Sequence, residues 1–277
     1  MAPDGIDPSL EQEYALRARY PERESIYARM RGASEDFRAR QRGHVELAYG
    51  QSARERIDFF PGGREAPLVV FIHGGYWRAL DKETFLFLAA PLVAAGFSVA
   101  MPGYDLAPGI SLAAIEAQIG EALGLLRHRA GELAFDPGRV VLSGHSAGGQ
   151  LAAMAMLRGS SGLGVRGLFG VSGVYDLLPL VATSVGASIR LDPETAAAAS
   201  PMRLAGLRAQ VPARLAVGAD ETAGFRGQSH DFARARIEAG GQAIVDEIPG
   251  TNHFTVLDRL FEGDGLAWIA ARLAAVG

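Results

Sequence analysis

The chain has 277 residues, 48% hydrophobic and 21% charged, the make-up of a soluble globular protein long enough to bury a core without staples. Its formal net charge of −4 argues against nucleic acid as a main partner, because phosphate binding needs concentrated positive surface. It contains no cysteine, which excludes disulfides, thiolate metal sites and a thiol nucleophile.

The opening Met1–Gly5 lacks the positive and then apolar runs of a signal peptide. No apolar stretch approaches the ~20 residues that would span a membrane. A cytoplasmic protein without membrane attachment is therefore expected, and a homodimer stays open. Residues 1–42 read as a helical arm. Ser9-Leu-Glu-Gln12 fits a capping box. Eight arginines and six acidic residues follow between Glu11 and Arg42. The plain reading of this mixture is a solvated helical face. The sharper reading folds the arm over an active site, with Tyr14, Tyr20 and Tyr27 as contacts. Lys82 is the only lysine, which reads as coding bias without functional message.

From residue 43 short apolar runs alternate with helical patterns. The runs are Val45–Tyr49, Arg54–Phe60, Leu68–Ile72, Phe97–Met101, Val140–Ser143, Gly167–Val171, Arg214–Val217 and Ala243–Ile248. The first two alternate apolar with polar and suit an exposed hairpin at a sheet edge. The others are continuous, as expected of strands buried on both faces. Leu112, Ile115, Ile119, Leu123 and Leu126 recur at helical intervals behind a possible Ser111 cap. Ser172–Val211 holds no clear strand. The alternation implies one α/β domain over 1–277: a mostly parallel eight-stranded sheet with helices on both faces.

Gly144-His-Ser146-Ala-Gly148 fits G-x-S-x-G between a predicted strand and a predicted helix. A sharp turn there exposes the serine hydroxyl, and flanking glycines let backbones approach closely. His73-Gly-Gly-Tyr-Trp77 follows the third strand. Acyl transfer needs N–H donors aimed at the oxygen that becomes negative; Gly74, Gly75 and Ala147 are placed to supply them. His73 is expected to brace this loop rather than act as a base. A serine nucleophile also needs a histidine base oriented by a carboxylate. Of the two histidines after Ser146, His253 follows the last strand, whereas His230 lies on a helical surface. For the acid, Asp220 is preferred after strand seven, with Glu221 its near alternative and Asp176 a distant one. His44, His128 and His145 read as surface or packing residues. The motifs thus follow strands three, five, seven and eight in the order this chemistry requires.

These segments resemble the kynurenine formamidase (arylformamidase) branch of the α/β hydrolases. The likeness rests on His73–Trp77, Gly144–Gly149, Asp220, Asn252–Phe254, and an arm running from Glu11-Gln-Glu-Tyr14 to Ala48-Tyr-Gly50. Tyr76 stands where related hormone-sensitive-lipase-like esterases usually have a third glycine. The resemblance implies the α/β-hydrolase fold, metal- and cofactor-free hydrolysis of N-formylkynurenine, a triad of Ser146, Asp220 and His253, and oxyanion donors at Gly74, Gly75 and Ala147. The expected partner is a small ester or amide. Tyr76, Trp77, Tyr104, Tyr175, Phe225 and Phe254 are the candidate walls for an aromatic leaving group. The competing readings are a carboxylesterase for short-chain or aryl esters, and a fold member that binds without catalysing.

Overall fold

The computed structural model describes residues 5–159 and 162–274. Eight strands form one sheet: β1 (Val45–Ala48), β2 (Arg56–Phe60), β3 (Ala66–Ile72), β4 (Ser98–Pro102), β5 (Phe135–His145), β6 (Val165–Val171), β7 (Ala213–Gly218) and β8 (Ala243–Ile248). Their spatial order is β1-β2-β4-β3-β5-β6-β7-β8. β1 with β2 and β2 with β4 are antiparallel, and every later pairing is parallel. All eight apolar runs are strands.

Successive side chains of a strand point to opposite faces. Leu68 to Ile72 of β3 are all buried, so both faces of the sheet are covered at its centre. The edges behave differently. β1 is exposed at three of its four positions, but Ile57–Phe60 of β2 are buried. The expected exposed hairpin is thus exposed on one strand only, because β4 flanks β2 and Phe37 of the arm packs on Phe60 at 5.0 Å. β8, expected to be buried on both faces, is a half-exposed edge. Its charged Asp246 and Glu247 suit an edge that must not recruit another strand.

The helices are α1 (Pro8–Tyr14), α2 (Leu16–Arg19), α3 (Arg23–Arg40), α4 (Ala89–Ala94), α5 (Leu112–His128), α6 (Ala147–Arg158), α7 (Leu178–Val181), α8 (Ser184–Ser188), α9 (Pro193–Ala198), α10 (Ala223–Glu238) and α11 (Gly263–Leu273). None of the described helices is long and apolar enough to cross a membrane. Ser111 caps α5, accepting from the Ala114 amide at 3.1 Å. The strandless 172–211 stretch supplies α7 to α9. The capping residue of α1 is Asp7 rather than Ser9: Asp7 accepts from the Ser9 amide at 2.8 Å, and Pro8 takes the first helical turn.

The arm is laced to the body, so its charges do more than face water. Glu11 accepts from the amide and hydroxyl of Ser184 at 2.8 and 2.6 Å. The Glu13 carbonyl accepts from Thr222 Oγ1, and Tyr20 Oη donates to the Asp220 carbonyl. Ser34 donates to the Thr84 carbonyl from α3. The lone lysine is structural as well. Lys82 Nζ lies 2.5 Å from Asp58, 2.6 Å from Glu83 and 3.2 Å from Glu46. These three carboxylates are the one group among the described residues close enough to share a metal ion, and the ammonium already sits among them. Burial alone would lower the Lys82 pKa, but Asp58 and Glu83 outweigh it and raise the value.

Candidate active site

β5 runs directly into α6, and Ser146 is the hinge between them. Its backbone has φ 55° and ψ −121°, a conformation that typically costs a non-glycine residue about 1–3 kcal/mol. Neighbours hold it there: its amide donates to the Val171 carbonyl at 2.8 Å, and its carbonyl accepts from Gly149 at 2.9 Å. The turn needs glycine on both sides. A Cβ on Gly144 would lie 2.2 Å from the Gly148 carbonyl oxygen, and one on Gly148 would lie 2.0 Å from the Ile72 carbonyl oxygen. The Ser146 hydroxyl opens into a cavity and carries no hydrogen bond among the described residues.

His253 lines the same cavity from the loop after β8. Its Nδ1 lies 2.7 Å from Glu221 Oε2. Glu221 Oε1 accepts from the Gly218 amide at 2.7 Å and from Ser172 Oγ at 2.5 Å. The carboxylate facing the histidine is therefore Glu221, and the preference for Asp220 is corrected. The turn after β7 explains the difference. Asp220 donates its amide to the Thr251 carbonyl and leaves its side chain exposed, while the next residue turns back beneath the strand ends. The longer glutamate then reaches the imidazole. Asp176 is spent elsewhere, accepting from the Leu178 amide, and His230 sits exposed on α10 against Glu247.

Two further histidines frame this array without titrating near neutrality. His145 is buried and donates Nε2–H to the His253 carbonyl at 2.8 Å. Burial, then the nearby His253, holds its pKa well below the ordinary value. His73 donates Nδ1–H to the Gly74 carbonyl at 2.8 Å and stacks on Tyr104, with ring centroids 4.2 Å apart. Burial lowers its pKa to about 4. It braces the loop, as expected. A Cβ on Gly74 would lie 3.1 Å from Ser146 Cβ, so that loop rests against the serine. The amides of Gly74, Gly75 and Ala147 make no hydrogen bond among the described residues.

The six aromatic candidates divide. Tyr76 and Phe254 line the cavity. Phe225 is buried behind it, packing on His253 at 4.4 Å. Trp77, Tyr104 and Tyr175 are corrected to core residues. Trp77 is fully buried and donates to Gln150 at 2.9 Å. Tyr104 donates to the His73 carbonyl, and Tyr175 stacks on Phe232 at 4.4 Å. Their aromatic surface is already covered by protein.

A family model described as BD-FAE matches residues 61–164, the part that carries the glycine loop and the serine turn. "Kynurenine formamidase" from Salmo salar is 31% identical over 234 residues, covering 79% of this chain and 78% of that protein. The chain belongs to the kynurenine formamidase family. A crystal structure described as "a putative thioesterase" from Silicibacter sp. TM1040 is 32% identical, covers 94% of this chain and 98% of its own, and superposes with a TM-score of 0.79. A thermostable carboxylesterase from a metagenomic library is 21% identical, covering 91% and 97% of the two chains at a TM-score of 0.73. The latter shares the α/β-hydrolase fold.

In this formamidase-family chain the arm lines one side of the cavity, whose volume is about 210 Å³. Leu16 and Arg17 of α2 and Tyr27 of α3 line it. Tyr27 and Tyr20 both meet Phe254 edge-on with centroids 5.5 Å apart, and Tyr14 packs on Phe225 at 5.6 Å. Leu16, Arg17, Arg23, Glu24 and Tyr27 of the arm thus stand in the cavity wall. Sequence reasoning did not single out Arg17, Arg23 or Arg78 as wall residues. Only Arg78 carried a usable signal, since it directly follows the glycine loop.

Proposed function

We propose that this protein is a serine hydrolase that cleaves the formyl group from N-formylkynurenine, releasing kynurenine and formate. The observation that carries the chemistry is the Glu221–His253 hydrogen bond beside Ser146 in one cavity. The substrate rests on family membership.

In this reading His253 Nε2 takes the proton as Ser146 Oγ attacks the formyl carbon. Glu221 fixes the ring with Nδ1 protonated and stabilises the imidazolium that forms. The carbonyl electrons move onto oxygen, where the amides of Gly74, Gly75 and Ala147 are free to donate. Collapse of the tetrahedral intermediate breaks the C–N bond, and His253 returns the proton to the leaving arylamine. A water, deprotonated by the same histidine, then attacks the formyl ester. Formate leaves, and Ser146 regains its proton.

Ser146→Ala is expected to lower kcat by roughly 10⁴–10⁶, and near-wild-type turnover would remove the serine from this role. Comparing kcat/KM for N-formylkynurenine with that for p-nitrophenyl acetate tests the substrate. Preference for the formamide by orders of magnitude supports the proposal. The reverse preference assigns a carboxylesterase on the same machinery.

A further inference from the structure

We propose that Arg17 and Arg78 form a carboxylate-binding subsite that selects substrates carrying an anionic group on the leaving arylamine. This deepens the formamidase reading and rests on it for the identity of the reacting bond.

The two arginines reach the cavity from different parts of the chain. Arg17 sits on α2 of the arm, and Arg78 lies in the loop that continues from Gly74 and Gly75. Both line the cavity that holds Ser146 and His253. Among the described residues, neither guanidinium has an ion-pair partner within 4.0 Å or a side-chain hydrogen bond. Most other arginines near the arm are engaged: Arg23 pairs with Glu24 at 3.0 Å, and Arg29 pairs with Asp258 at 2.7 Å. Glu24 is the only acidic wall residue among the described residues, and Arg23 pairs with it.

Two cations facing one cavity without counter-ions repel each other. Partial burial, then the Arg17 charge, lowers the Arg78 pKa. An anion between them would relieve that repulsion, and guanidinium forks match carboxylate geometry with paired N–H···O bonds. The chain as a whole is acidic, so this positive pair opposes the overall balance. N-formylkynurenine carries its carboxylate on the side chain of the ring, away from the formyl group. The subsite would therefore hold the leaving group while the formyl carbon faces Ser146.

The test compares N-formylkynurenine with N-formylkynuramine, which lacks only the carboxylate. For the wild-type protein we expect kcat/KM to favour the acid by about 10- to 100-fold, the usual range for a hydrogen bond to a charged group. In Arg17→Gln and Arg78→Gln that ratio should fall at least several-fold, through KM rather than kcat. The ratio is insensitive to partial misfolding, which scales both substrates together. A wild-type ratio near one, or a ratio unchanged in both variants, overturns the subsite. A parallel measurement separates this from failure of the formamidase reading: inhibition of p-nitrophenyl acetate hydrolysis by kynurenine and by kynuramine. If neither formamide is cleaved, yet kynurenine inhibits more strongly and loses that advantage in Arg78→Gln, the subsite stands and the formamide assignment falls. Equal inhibition by the two in every variant removes the subsite.

Discussion

Glu221 shows how much can turn on one residue. Its carboxylate accepts three hydrogen bonds, one of them from His253, whereas Asp220 one position earlier points into solvent. Exchanging Glu221 for Gln keeps the shape but favours the wrong imidazole tautomer. Glu221→Gln is expected to lower kcat by about 10³–10⁴, while Asp220→Asn should stay within a few-fold of wild type. Steady-state kinetics on the two purified variants decides it, and a larger loss in Asp220→Asn would reverse the assignment. The sequence could not separate these neighbours. Both follow β7, and the choice depends on the direction of a turn set by a backbone bond to Thr251. Aromatic residues posed the same difficulty. Trp77 and Tyr76 are adjacent, yet one is core and the other wall. By contrast Ser146, His253 and the glycine loop were legible, because each must follow a strand and tolerates few alternative residues.

At the scale of elements, the ion cluster around buried Asp58 and Lys82 ties the 3-10 turn 82–88 to the paired strands β1 and β2. Lys82 begins the 3-10 turn 82–88, Asp58 is central to β2, and Glu46 lies on β1. Asp58 also accepts from His44 at 2.5 Å. Removing Lys82 would leave a fully buried carboxylate without one of its two 2.5 Å partners. Lys82→Ala is therefore expected to destabilise by about 3–5 kcal/mol, read from denaturant unfolding. A change below about 1 kcal/mol would mean the cluster is solvated enough to do without the ammonium. Nothing in the composition pointed to this, since a single lysine among many arginines looks like coding bias. The strands were easier to read because buried parallel strands leave continuous apolar runs. β8 was misjudged because Ala243–Ile248 is largely apolar, while Asp246 and Glu247 pair with Arg214 and with Arg226 and His230 on a half-exposed edge strand. The arm was ambiguous because dense charge masks the few tyrosines that anchor it.

For the whole molecule, buried neutral histidines tie stability to pH. His73 has its pKa lowered to about 4 from an ordinary 6.5, and His145 is shifted the same way. Between those values the unfolded chain binds a proton at His73 that the folded chain does not. Stability is thus complete above about pH 6.5 and is lost as pH falls toward 4, by about 3 kcal/mol from His73 alone. Unfolding free energies measured at pH 7, 6 and 5 should decline accordingly, and His73→Asn should make the decline shallower by about one proton's worth. An unaltered slope in that variant would place a protonated His73 inside the folded protein.

The division of labour along the chain has an evolutionary reading. Ser146, Glu221 and His253 belong to the body, whereas Leu16, Arg17 and Tyr27 come from the first thirty residues. Under the proposed function, the bond-breaking groups all lie in the body, while part of the wall, shared with Tyr76, Arg78 and Phe254, is encoded in the arm. Descendants of a common ancestor could diverge in what they accept by drifting at the beginning of the chain, with the reactive centre inherited intact.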